Sequence, residues 1–139
     1  MREDDREAVR WYRLAAEQGR AIAQNNLGAM YRDGRGVPQD DEAAVQWFRR
    51  SAEQGRASGQ TNLGWMYREG RGVARDDEEA VRLFRQAADQ GQAVAQTNLG
   101  WMYEQGRGVR RDRLEAARWY RLAADQGDAD AQRRLDGLR

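Results

Sequence analysis

The sequence predicts an all-α chain of repeated helix pairs, and three observations predict it. First, one phrase recurs at a spacing of 36 residues: "LGAMYRDGRGV" from Leu27, "LGWMYREGRGV" from Leu63 and "LGWMYEQGRGV" from Leu99. Second, apolar residues within each copy follow a helical period, and alternation of period two is nowhere sustained. Third, aspartates and glycines punctuate the copies where helices would begin and end. At 139 residues the chain fits one domain with a real core.

The elements follow in order. A partial unit, 1–19, holds one helix over about Asp4–Gln18 and closes at Gly19. Three full units follow, at 20–55, 56–91 and 92–127. Each pairs a first helix of the form "AxAQxNLGxMYxxG" with a second of the form "DxxxAxxWFRxAAEQG". The remaining stretch, 128–139, supplies a last first-type helix over about Ala129–Leu138. The one proline, Pro38, falls between two helices, where it cannot break either.

Each helix has an apolar face. At about 100° per residue, Leu63, Met66 and Tyr67 lie together on the first helix. On the second, Ala44, Trp47, Phe48 and Ser51 cluster while Glu42, Gln46, Arg49 and Arg50 point away. Asp4, Asp40, Asp76 and Asp112 stand at the starts of second helices, as N-caps. Gly34, Gly70 and Gly106 stand where first helices stop, suited to a left-handed cap. Gly28, Gly64 and Gly100 sit inside first helices, where glycine costs about 1 kcal/mol against alanine. That cost at one register position in every copy points to close helix packing. A single pair cannot bury its apolar face, so neighbours must stack and must repeat the same contacts.

The pattern "AxAQxxLGxMYxxGxGVxxDxxxAxxWYRxAAEQG" closely resembles the Sel-one-like repeat (SLR) family, relatives of tetratricopeptide repeats. The match runs from about Asp4 to Leu135. The resemblance implies an α-solenoid, a right-handed superhelix of antiparallel helix pairs, acting as an adaptor that holds other proteins. Some secreted bacterial relatives staple each repeat with cysteine pairs. This chain has no cysteine, so the properties of that subgroup do not transfer.

Composition narrows function further. With neither cysteine nor histidine, thiolate nucleophiles, the usual neutral-pH base and the commonest metal ligand are all missing. Carboxylate pairs such as Asp76/Asp77 sit at helix starts, where capping and the helix dipole account for them. The "GRGV" loop follows a helix and lacks a full phosphate-binding glycine pattern. No enzyme activity, cofactor or metal is therefore expected. The net charge is +1, and every basic residue is arginine. Between 104 and 121, Arg107, Arg110, Arg111, Arg113, Arg118 and Arg121 outnumber Glu104, Asp112 and Glu115. That footprint is too small for nucleic acid and reads as a solvated face. "MREDDREAVR" contains no signal peptide, and no apolar run approaches the roughly 18 residues of a membrane span. A soluble protein is expected, cytoplasmic, or periplasmic or secreted if a leader was removed.

The expected partner is a protein or peptide. On the helical wheel Trp65 lies about 160° from the packed face of its helix, with Ala29 and Trp101 in the same column. In tetratricopeptide-like solenoids the first helices line a concave groove. The resemblance thus implies a groove carrying Asn25 and Arg32, then Thr61, Trp65 and Arg68, then Thr97, Trp101 and Glu104. Asn26, Asn62 and Asn98 border it and can clasp a peptide backbone. Tryptophan beside arginine is the composition of an interface hot spot. The alternatives are that the tryptophans pack across neighbouring first helices and that the asparagines bond between repeats. A consensus-like or engineered solenoid without a selected ligand is the rival reading of the whole chain. Trp11, Tyr12 and Leu135 are expected to be left open at the two ends, allowing weak head-to-tail self-association.

Overall fold

A computed structural model describes residues 2–138 and contains eight α-helices and no strand among them. They are α1 (Glu3–Glu17), α2 (Ala21–Asp33), α3 (Asp41–Glu53), α4 (Ala57–Glu69), α5 (Asp77–Asp89), α6 (Ala93–Gln105), α7 (Arg113–Asp125) and α8 (Ala129–Gly137). The chain is all-α, as its periodicity predicts. It packs as two compact units, one running through Arg75 and the other beginning at Asp76.

In the first unit α2 packs on both α1 and α3, α4 packs on α3, and α2 lies beside α4. Val9, Ala16, Ala23, Leu27, Met30 and Val37 form one core cluster, with Tyr12 and Trp47 half-buried against it. In the second unit α6 packs on α5 and α7, and α8 packs on α7. Ala116, Tyr120, Ala123 and Ala131 are buried together there, with Leu135 and Leu138 alongside.

The helix boundaries follow the punctuation closely. The Asp40, Asp76 and Asp112 carboxylates accept from the backbone N–H groups of Ala43, Glu79 and Glu115 at 3.1, 3.1 and 3.0 Å. Asp4 departs from the expectation. The cap position of α1 is Arg2, with no side-chain cap, and Asp4 lies inside the first turn, where the helix dipole still favours it. One cap was missed: Asp128 accepts from Ala131 N–H at 3.1 Å. Gly34, Gly70 and Gly106 all adopt the left-handed conformation, with φ of 66°, 66° and 67°. Two of the glycines inside first helices, Gly28 and Gly100, are explained by rings. A Cβ on Gly28 would sit 2.7 Å from the Phe48 ring, and one on Gly100 would sit 2.8 Å from the Tyr120 ring.

Consecutive repeats are also joined by amide hydrogen bonds. The Gln54 side chain donates to both the Gly19 carbonyl and Gln24 Oε1 at 2.8 Å. Gln126 makes the same pair of bonds to Gly91 and Gln96 at 2.9 Å. Gln24 and Gln96 are themselves buried, so these bonds satisfy polar groups that water does not reach.

Candidate protein-interaction site

The first-helix face of unit one is built around Trp65 on α4. Two guanidiniums lie over its indole ring, Arg32 from α2 at 5.7 Å and Arg71 from the following turn at 5.2 Å. Each is fixed by its own partners. Arg71 donates to the Asp41 carboxylate through Nε at 3.0 Å and Nη2 at 2.8 Å, a hydrogen-bonded ion pair that raises its pKa. Arg32 donates to Asp33 at 3.0 Å and to Asn62 Oδ1 at 3.2 Å. Asn62 in turn donates to Asn25 Oδ1 at 2.7 Å. The result is a half-exposed platform of one aromatic ring and two oriented cations, edged by amides.

Unit two repeats part of this arrangement. Arg107 lies over the Trp101 ring at 5.2 Å and binds the Asp77 carboxylate at 3.1 and 2.9 Å. The loop arginine of "GRGV" is thus the partner that anchors each tryptophan. From sequence the loop is notable for its glycines and Arg107 belongs to a solvated basic face; the structure instead places Arg107 half-buried, over Trp101 and paired with Asp77. The signal was available in the constant spacing from Trp65 to Arg71 and from Trp101 to Arg107.

The predicted residues do not all come together. Asn25, Asn26, Arg32, Asn62, Trp65, Asn98 and Trp101 are half-exposed on first helices. Among the described residues the Asn26 and Asn98 side chains have no hydrogen-bond partner, which leaves their amides free. Thr61 and Thr97 belong to the interior instead, each 6% exposed. The Thr97 hydroxyl lies 3.0 Å from the Asp128 carboxylate, so the position that looked outward on one helix faces the next. Glu104 also turns inward, accepting from the buried Tyr120 hydroxyl at 2.6 Å. Burial and that bond together push the Tyr120 pKa upward, so its proton stays in place. Arg68 is held against Glu69 at 3.0 Å with little of its side chain exposed.

Among the described residues no cluster of three or more histidine, cysteine, aspartate or glutamate side chains could hold a metal. None of the helices described is long and apolar enough to cross a membrane.

Helix pairs repeated in register, joined by the same turn glycines and the same amide bonds, define a helical-repeat protein. The Sel1 repeat pattern matches residues 1–19, 21–55, 57–92 and 93–128, and the chain belongs to the Sel1 repeat family. Such repeats typically serve as protein-interaction scaffolds. Among solved structures it is similar to c5321, a protective antigen of uropathogenic Escherichia coli strains displaying an SLR fold. The identity is 45% and the TM-score 0.90, over 96% of this chain and 28% of that one. It is also similar to a Sel1 repeat protein from Oxalobacter formigenes, at 38% identity and TM-score 0.88, over 96% of this chain and 54% of the other. This chain therefore spans about a quarter to a half of the length of those relatives. Helicobacter pylori cysteine rich protein B shares the fold at 22% identity and TM-score 0.72, covering 93% of this chain and 92% of its own. No curated protein matches.

Proposed function

We propose that this chain is a non-enzymatic scaffold whose first-helix faces bind an extended or helical segment of a partner protein. The observation that carries the reading is the Trp65 platform, a half-exposed ring fixed by Arg32 and Arg71. Large aromatic and arginine side chains dominate binding energy when they are already ordered, because little rotamer entropy remains to be lost. The free amides of Asn26 and Asn98 add donors and acceptors suited to a peptide backbone.

Peptide display against the immobilised protein tests this. Selected peptides should lose about tenfold or more in affinity when Trp65→Ala is combined with Trp101→Ala, and several-fold with Asn98→Ala. The Trp11→Ala variant, altered at an exposed ring on α1, should bind them unchanged. Peptides that ignored the tryptophan pair while circular dichroism stayed normal would refute the assignment.

A further inference from the structure

Each first helix carries one outward stripe, and the stripe differs between copies. At about 100° per residue, the side chains four and seven positions beyond the second residue of the helix fall in line with it. On α2 the three are Ile22, Asn26 and Ala29; on α4, Ser58, Asn62 and Trp65; on α6, Val94, Asn98 and Trp101. Val94 is 55% exposed. It stands well inside the chain on a helix packed by both α5 and α7, so it is open by its place on the helix and not for want of a neighbour. Asn62 spends its amide within the protein, accepting from Arg32 at 3.2 Å and donating to Asn25 at 2.7 Å. An amide at this position can therefore bond to groups lying across the helix face. The Asn98 amide has no such partner among the described residues.

Charge separates the copies too. The stripes of α2 and α4 end at Asp33 and Glu69, whereas that of α6 ends at Gln105. Glu104 beside it is turned inward to Tyr120, and Arg107 over the Trp101 ring is bound to Asp77. The α6 stripe is thus uncharged along its length, with an apolar side chain, an unspent amide and an indole in a row. Val94 and Trp101 lie about 10.5 Å apart along the helix axis, with Asn98 about 6 Å from Val94. This spacing chooses between backbone conformations of an occupant. An α-helix satisfies its own N–H and C=O groups, so the Asn98 amide would meet only side chains. A β-strand turns residues three apart to opposite faces. A polyproline II segment leaves its backbone groups free, turns every third residue to one side and advances about 9 Å in three residues.

Resting on the scaffold reading above, we propose that the α6 stripe binds a polyproline II segment of a partner protein bearing two uncharged apolar side chains three residues apart. One of them covers Val94 and the other lies against the Trp101 ring. The backbone between them bonds to the Asn98 amide, which offers both a donor and an acceptor. A charged side chain at either contact would be desolvated with no uncommitted charge on the stripe to meet it. Val94 thus joins the site as a residue that sets specificity.

The test uses the intact protein and a fluorescein-labelled peptide with the core Leu-Pro-Ala-Leu between Gly-Ser arms. The proline favours the extended conformation, and the alanine keeps an N–H for Asn98. Anisotropy should show saturable binding below about 1 mM. Cores with the leucines two or four residues apart should bind about fivefold weaker or worse, as should a stapled helical peptide with leucines seven residues apart. A core with glutamate in place of both leucines should not saturate in this range. In the protein, Val94→Ser and Trp101→Ala copy residues found at the same positions of α4 and α2, so neither introduces a side chain foreign to the fold. Each should weaken binding of the parent peptide about fivefold or more, and Asn98→Ala several-fold. No saturation by the parent peptide, equal affinity at the altered spacings, tighter binding of the helical or the glutamate peptide, or indifference to Val94→Ser and Asn98→Ala would overturn the proposal. Displayed peptides that need Trp65 and Trp101 but neither Val94 nor the three-residue spacing would overturn this inference alone and leave the scaffold reading standing.

Discussion

Ser51 and Gly59 show how one residue answers another. Three copies place alanine at the first position (Ala15, Ala87, Ala123), and the same three place alanine at the second (Ala23, Ala95, Ala131). The remaining copy changes both together. Ser51 is fully buried and its hydroxyl donates to the Ala21 carbonyl at 2.8 Å. A Cβ on Gly59 would sit 2.5 Å from that oxygen. The larger side chain and the smaller one thus share one volume, as close-packed interiors require. The sequence marks Ser51 as unusual but hides its reason, because the compensating residue lies on the next helix. Gly59→Ala alone should cost about 1–2 kcal/mol from overpacking, net of its gain in helix propensity. Ser51→Ala alone should cost about 1 kcal/mol by removing the hydroxyl's additional bond to the Ala21 carbonyl. The double variant returns to the arrangement of the other copies and should be more stable than the sum by about 1 kcal/mol. Urea unfolding of the four proteins measures this. Additive effects would show that the two positions do not compete for space.

Elements were legible where the deciding interaction is local. A cap depends on its own next three residues, so Asp40, Asp76 and Asp112 could be read directly, and so could the glycines that end first helices. Side-chain direction is a different matter, since a wheel knows one helix only. Thr61 and Thr97 lie near the tryptophans on that wheel, yet both are buried. Glu104 looked outward until α7 supplied Tyr120 as a donor. The loop arginines were missed for the same reason, because Asp41 and Asp77, which hold them, lie 30 residues away. Asp4 separates true capping from mere acidity at a helix start. Asp40→Ala removes the cap bond to Ala43 N–H and should cost about 1 kcal/mol. Asp4→Ala removes only a dipole contact near an exposed end and should cost about 0.3 kcal/mol. Guanidinium titrations of the two variants give the comparison. Equal losses would mean that Asp4 caps α1 after all.

Across the whole molecule, stability should follow how many faces each helix has covered. A stacked repeat array is roughly a sum of its units and the contacts between neighbours, so helices with one neighbour open more readily than helices with two. In unit one α2 is packed by α1, α3 and α4, while α1 packs chiefly on α2 and buries Val9 and Ala16 along its 15 residues. In unit two α6 lies between α5 and α7, while α8 packs on α7 and buries Ala131 alone. Cap chemistry does not reverse this order: α1 has no side-chain cap, and the Asp128 cap on α8 holds a helix of 9 residues with a charged outer face. Native-state hydrogen exchange should therefore find the slowest amides of unit one in α2 and α3 and those of unit two in α6 and α7. Protection in α1 and α8 should fall short by a factor of about ten or more, a gap of at least about 1.4 kcal/mol in opening free energy. Amides of α8 as slow as those of α6, in the free protein, would show that stability here does not depend on covered faces.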